Sequence, residues 1–173
     1  MSQLTKNYVE IVKAVLDSVP HDKLDALVEA VLGAPMVLTC GNGGSAATAI
    51  HFASDLRSLG IPAFDMLSPA KTTQIMNDVS ADGVFVCQMV PNSLTVAFSA
   101  SGISPDIVRL LDDRRAKVVL VTSTMKLGRR PWDTTRLDNK LIIEIDSDDY
   151  EVIEDAHLCL CHAAKKELRA RMQ

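Results

Sequence analysis

Short apolar runs alternate with helical patterns along most of this 173-residue chain. Met36-Val37-Leu38-Thr39-Cys40, Leu94 to Phe98, Lys117 to Thr122 and Leu141 to Ile145 each read as a buried strand, and a shorter run spans Ala63 to Leu67. Helical patterns lie between them: Ser45 to Leu59, stopped by Gly60-Ile61-Pro62; weaker signals over Ala70 to Met76 and Gly83 to Val90; Ser104 to about Asp113; and a long final stretch from about Asp149 to Arg171. Strands separated by helices pair in parallel, with the helices covering both sheet faces. In such a sheet a ligand sits at the carboxyl ends of the strands, near the point where strand order reverses.

Two amphipathic helices precede the first strand. Leu4, Tyr8, Ile11, Val12 and Val15 recur at helical spacing, Pro20 interrupts, and Leu24, Leu27, Val28, Val31 and Leu32 continue to Gly33. No repeat, low-complexity tract or linker divides the chain, so residues 1–173 are expected to form one domain, with 1–33 available for oligomer packing. Met125 to Lys140 is the longest irregular segment. Its Trp132, beside Arg129 and Arg130, would either cover a ligand or pack on the surface.

Composition removes several classes. Hydrophobic residues at 47% and charged residues at 23% suit a soluble globular chain. No apolar run approaches the roughly 20 residues of a membrane span, and Met1 to Lys6 does not begin a secretory signal, so the cytoplasm is the expected location. Net charge is −4, and the basic residues form only small knots at Arg114-Arg115, Arg129-Arg130 and Lys165-Lys166, which excludes a nucleic-acid stripe. Cys40, Cys87, Cys159 and Cys161 make no C-x-x-C pair and are expected to be reduced and mostly buried.

Two strand-to-helix junctions carry the chemistry. Cys40-Gly41-Asn42-Gly43-Gly44-Ser45 leaves a strand and opens a helix, where glycines permit close backbone approach and free N–H groups favour an anion. Ser99-Ala100-Ser101-Gly102-Ile103-Ser104-Pro105 sets three hydroxyls around a glycine, with a proline where a first helical turn tolerates it. Hydroxyls and backbone donors together bind phosphate without a lysine. Each loop alone would equally serve as a tight turn with an N-capping serine. Neither fits the P-loop or the G-x-G-x-x-G fingerprint, which argues against an ATPase or a dinucleotide enzyme.

Taken together these segments resemble the sugar isomerase (SIS) family, and within it the phosphoheptose isomerases. The resemblance rests on Gly41 to Ser45 running on to His51-Phe52-Ala53-Ser54-Asp55-Leu56, on Asn77-Asp78, on the serine loop, and on Glu154-Asp155-Ala156-His157 with His162. It implies a three-layer, flavodoxin-like fold of five parallel strands and a homotetramer with active sites at subunit interfaces. It further implies that Ser99, Ser101 and Ser104 hold a sugar phosphate, with Asn42, Gly43, Ser45, Asp78 and Glu154 near the sugar. The implied activity is aldose–ketose isomerisation of sedoheptulose 7-phosphate. A non-catalytic SIS-type binding protein and an isomerase of another phosphosugar are the alternatives.

His51 and Asp55 stand four residues apart, so one helix face presents both. Glu154 and His162 share the final helix but lie about 12 Å apart along it, too far for periodicity to pair them. The resemblance joins all four as a zinc set, and gives Asp55 and His162 the proton transfer. Isomerisation needs an acid and a base, and a metal can polarise the carbonyl; two imidazoles and two carboxylates suit Zn²⁺. The bland reading leaves His51 structural and Asp55, near Arg57, on a solvated face. Departures from the family are Asp55 for glutamate, Glu154 for glutamine, and Ala100 and Ile103 for threonine and asparagine. The segment between Asp78 and Ser99 is also short. His21 is expected at the surface, and His157 near the site or at an interface.

Overall fold

The computed structural model describes residues 3–125 and 139–173. The loop bearing Arg129, Arg130 and Trp132 lies outside the described residues. Among the described residues, six α-helices and five strands follow one another as α1 (Gln3–Asp17), α2 (His21–Leu32), β1 (Val37–Gly41), α3 (Gly44–Ser58), β2 (Ala63–Asp65), α4 (Pro69–Asp78), β3 (Leu94–Phe98), α5 (Pro105–Asp112), β4 (Lys117–Ser123), β5 (Lys140–Ile145) and α6 (Tyr150–Arg171). All strand pairs are parallel, in the order β2-β1-β3-β4-β5.

Alternation along the strands divides the core. Val119 and Val121 of β4 face one side with Val96, Phe98 and Ile143, beneath α1, α2, α3 and α6. Val118 and Leu120 face the other with Leu38 and Cys40, beneath α4 and α5. Both faces are covered, which is why β1 and β3 are buried at every position rather than at every second one. Thr39, buried within β1, gives its hydroxyl to the Ala49 carbonyl at 2.8 Å, so the polar side chain is satisfied.

The leading helices close over α6. Tyr8 donates to Asp155 at 2.6 Å, and Arg171 reaches Asp25 at 2.6 Å and Glu29 at 2.5 Å. Val9 and Ile11 remain exposed on the outer face of α1. The helical signal over Gly83 to Val90 resolves differently, into two 3-10 turns at Ala81–Gly83 and Val86–Gln88. Val84 and Phe85 there are buried in the core with Met89 packed partly against it, and Gln88 folds back to donate to the Val84 and Met66 carbonyls, so the apolar contacts do not form the sustained stripe of an α-helix. Of the four thiols, expected to be mostly buried, only Cys40 and Cys161 are; Cys87 and Cys159 are exposed. Two residues on a helix turn by about 200°, which sends Cys159 outward when Cys161 points in. No helix among the described residues is long and apolar enough to cross a membrane.

The order β2-β1-β3 means the chain leaves β1 and β3 in opposite directions. Strand order reverses between these two neighbours, and the glycine and serine loops follow their carboxyl ends.

Candidate active site

Gly41 ends β1 opposite Phe98. A Cβ at Gly41 would lie 2.7 Å from the Ser45 carbonyl oxygen and 2.9 Å from that of Phe98, so the two loops approach at glycine distance. Gly43 caps α3 at φ +55°, a backbone that side-chain-bearing residues avoid. Ser45 is buried in the first turn of α3.

In the serine loop, Ser99 Oγ accepts from the Gly102 N–H at 3.0 Å, and Gly102 turns at φ +67°. The Ile103 N–H approaches Ser101 Oγ at 3.4 Å. Ser104 occupies the cap position of α5 without capping it. Asp106 instead accepts from the Ile107 N–H, and both its oxygens receive the Asn42 amide at 2.9 and 3.1 Å. Asn42 and Asp106 thus tie the glycine loop to the serine loop. Asp106 has a plain sequence signal that went unread: an acid in the first turn of a helix. Asp78 ends α4, receives the Asn77 amide at 2.8 Å, and bonds to neither loop among the described residues.

Glu154 lies against the other side of the glycine loop. Its carboxylate covers Gly44 so closely that a Cβ there would fall 2.1 Å from an oxygen, and it faces the positive end of α3. His51, Asp55 and His162 gather separately where α3 packs on α6. The structure therefore joins three of the four residues of the set, and Glu154 stands apart from them by its eight-residue offset.

Within the trio, His51 Nε2 and His162 Nε2 are 2.9 Å apart. Asp55 Oδ2 is 3.4 Å from His51 Nε2 and 3.9 Å from His162 Nε2. Each Nε2 carries at most one proton, and a hydrogen bond between the rings uses the one shared by the pair. Asp55 Oδ2 is accordingly buried with no hydrogen-bond partner, an arrangement that calls for a cation or a proton. Both imidazoles are about half exposed, at 47% and 50%, whereas the Asp55 side chain beneath them is 12% exposed. The donor set suits zinc: two imidazoles and a carboxylate at tetrahedral angles around Zn²⁺ put their donor atoms about 3.3 Å apart. Lys165, one turn beyond His162, bonds Asp55 Oδ1 at 2.5 Å. In the sequence it was part of a basic knot, although its i, i+3 spacing from His162 already set both on one face.

His157 is fully buried, with its ring 5.9 Å from that of Phe98. Burial pushes its pKa down to about 4. The Thr122 backbone acts the other way, favouring the protonated ring, and is the smaller of the two influences.

A doubly wound parallel sheet with glycine and serine loops at its reversal point, and an imidazole–carboxylate cluster on the flanking helices, fits the resemblance to the sugar isomerase (SIS) family. No protein-family model matches the chain, but individual relatives do. A phosphoheptose isomerase of Alteromonas mediterranea is 30% identical over 148 residues, covering 79% of this chain and 74% of its own. One from Shewanella sediminis is 28% identical over 152 residues, with 79% and 77% covered. The structure of a phosphoheptose isomerase from Francisella tularensis superposes with a TM-score of 0.82 at 19% identity, over 98% of this chain and 100% of that one. The chain belongs to the phosphoheptose isomerase family.

Proposed function

We propose that this chain interconverts sedoheptulose 7-phosphate and an aldoheptose 7-phosphate. The observation that carries the reading is Asp55 Oδ2, buried and unserved beneath two exposed imidazoles. Isomerisation removes a proton from C1 of the ketose while the C2 oxygen gains one. The enediol then takes a proton at C2 as the C1 hydroxyl becomes the aldehyde. The half-exposed His162 exchanges the proton, and Asp55 beneath it takes up the charge that develops on the ring. Ser99, Ser101 and Ser104 hold the phosphate, assisted by the N-terminus of α5. Asn42, Gly43, Ser45, Asp78 and Glu154 contact the sugar. Alternatively, Zn²⁺ held by His51, Asp55 and His162, with Glu154 outside the set, would polarise the substrate carbonyl, and His162 would then serve as a ligand in place of carrying the proton.

The exposed Ile50 beside His51 and the exposed Phe64 on edge strand β2 support a homotetramer with sites at subunit contacts. Residues 1–173 act as one domain, in the cytoplasm.

The test is incubation of the purified protein with sedoheptulose 7-phosphate, with and without added zinc, followed by separation of ketose and aldose phosphates. Appearance of the aldose establishes the reaction, and its zinc dependence decides between carbonyl polarisation and unaided proton transfer. No conversion in either arm would refute the reading. Ser101→Ala should weaken substrate binding by about 1.5–3 kcal/mol, the loss of one hydrogen bond to a charged group. An unchanged KM and an unchanged Kd for the phosphosugar would remove Ser101 from the cradle.

A further inference from the structure

Asp55 divides its oxygens between two neighbourhoods. Oδ2 faces the imidazoles of His51 and His162, and Oδ1 is held by Lys165 at 2.5 Å. The ion pair is largely withdrawn from solvent, with 22% of the lysine side chain and 12% of the aspartate exposed. Screening is weak at such a site, so the lysine charge acts on anything lodged between the imidazoles.

Two consequences follow from geometry and charge. With Oδ1 engaged, Asp55 offers a cation one oxygen rather than two. The charges of Lys165 and Asp55 also cancel, so the trio and its lysine are neutral before any cation enters. A divalent ion at the cluster would sit about one carboxylate's width from an ammonium group, a repulsion of several times thermal energy even at an effective dielectric of about 20. Ordering a single aspartate rotamer contributes far less than that.

We propose that Lys165 is a positioning residue that presents Asp55 Oδ2 singly to the imidazole pair and holds down the affinity of the site for divalent cations. Zinc in this chain is then exchangeable rather than permanently bound. The inference rests on the reading of His51, Asp55 and His162 as the zinc-holding trio.

The experiment measures the zinc dissociation constant of the metal-stripped, full-length protein by competition with a chromophoric chelator. Lys165→Met keeps much of the apolar stem and removes the charge; it should bind zinc at least tenfold more tightly than the wild type. Lys165→Arg keeps the charge and should stay within about threefold. Lys165→Gln is the second neutral variant, used if the methionine variant fails to fold, and should tighten binding in the same direction. Zinc bound by a neutral variant but not measurably by the wild type supports the proposal. Equal or weaker binding in the neutral variants overturns it.

His162→Ala separates this from the underlying reading. If that variant loses zinc while the Lys165 variants match the wild type, the lysine proposal alone fails. If His162→Ala binds zinc like the wild type, the trio is not the metal site. If no protein in the series binds zinc, both fall. Isomerase activity is scored independently and bears only on the proposed reaction.

Discussion

Asp55→Asn is expected to lower kcat by about 10²–10⁴-fold, the usual contribution of a positioned proton-transfer group, while leaving the Kd for a phosphosugar within a few-fold of the wild type. Asparagine has nearly the shape of aspartate, so α3 and its packing on α6 are retained. What changes is the oxygen beneath the imidazoles. In the wild type, Oδ2 is a buried, unserved acceptor 3.4 and 3.9 Å from the two Nε2 atoms, ready to balance a proton arriving on either ring. A neutral amide cannot balance that charge. The proposed phosphate ligands Ser99, Ser101 and Ser104 belong to a different loop, between β3 and α5, and should feel the change little. The substitution also strips Lys165 of its partner, and an unpaired cation there is destabilising. Asp55→Asn combined with Lys165→Met removes both charges and serves as the control. If the double variant folds well and remains inactive, the carboxylate is needed for turnover. If either variant turns over at the wild-type rate, Asp55 has no part in the reaction.

Strand positions were legible because a parallel sheet covered on both faces needs uninterrupted apolar runs, and few segments of this chain supply them. Leu94 to Phe98 is a strand over the span read from sequence, and β1, β4 and β5 begin or end within a residue of theirs. The glycine and serine loops were legible for a related reason: Gly41 and Gly102 stand where backbone approach and positive φ admit little else. The segment from Gly83 to Val90 was misread because apolar composition without a sustained stripe does not distinguish an α-helix from 3-10 turns pinned by side chains such as Gln88. The trio was half legible. His51 and Asp55 share a helix, so their spacing sufficed, whereas the approach of His162 is a tertiary fact of α3 meeting α6. Lys165 escaped notice for the same reason, since nothing local shows that a lysine in a basic knot will turn inward to an aspartate 110 residues away. The separation of Glu154 from the trio was legible in the helical rise, and its contact with Gly44 was not.

His157 makes the second large effect a matter of acidity. It sits in α6 with no exposed surface, its ring against Phe98 and neither nitrogen hydrogen-bonded. Burial pushes its pKa down to about 4, against about 6.5 for an unfolded chain. Above pH 6.5 the ring is neutral in both states and costs nothing. Between pH 6.5 and 4 the unfolded chain binds a proton that the folded one refuses, so folding stability falls as pH falls. The integrated loss across that window is about 3 kcal/mol, a large share of the margin of a domain this size. His157→Leu replaces the titrating ring with an apolar side chain in an apolar setting, and its stability should not share this loss. The measurement is urea unfolding of both proteins from pH 8 to pH 5. Their difference in unfolding free energy should shift in favour of the variant as pH drops, by roughly 2 kcal/mol over that range. Every other side chain is common to the two proteins, so its contribution cancels in the comparison. A difference that stays constant with pH would mean that the folded protein admits a proton to this ring as readily as water does, and that the core around Phe98 opens far more easily than its burial implies.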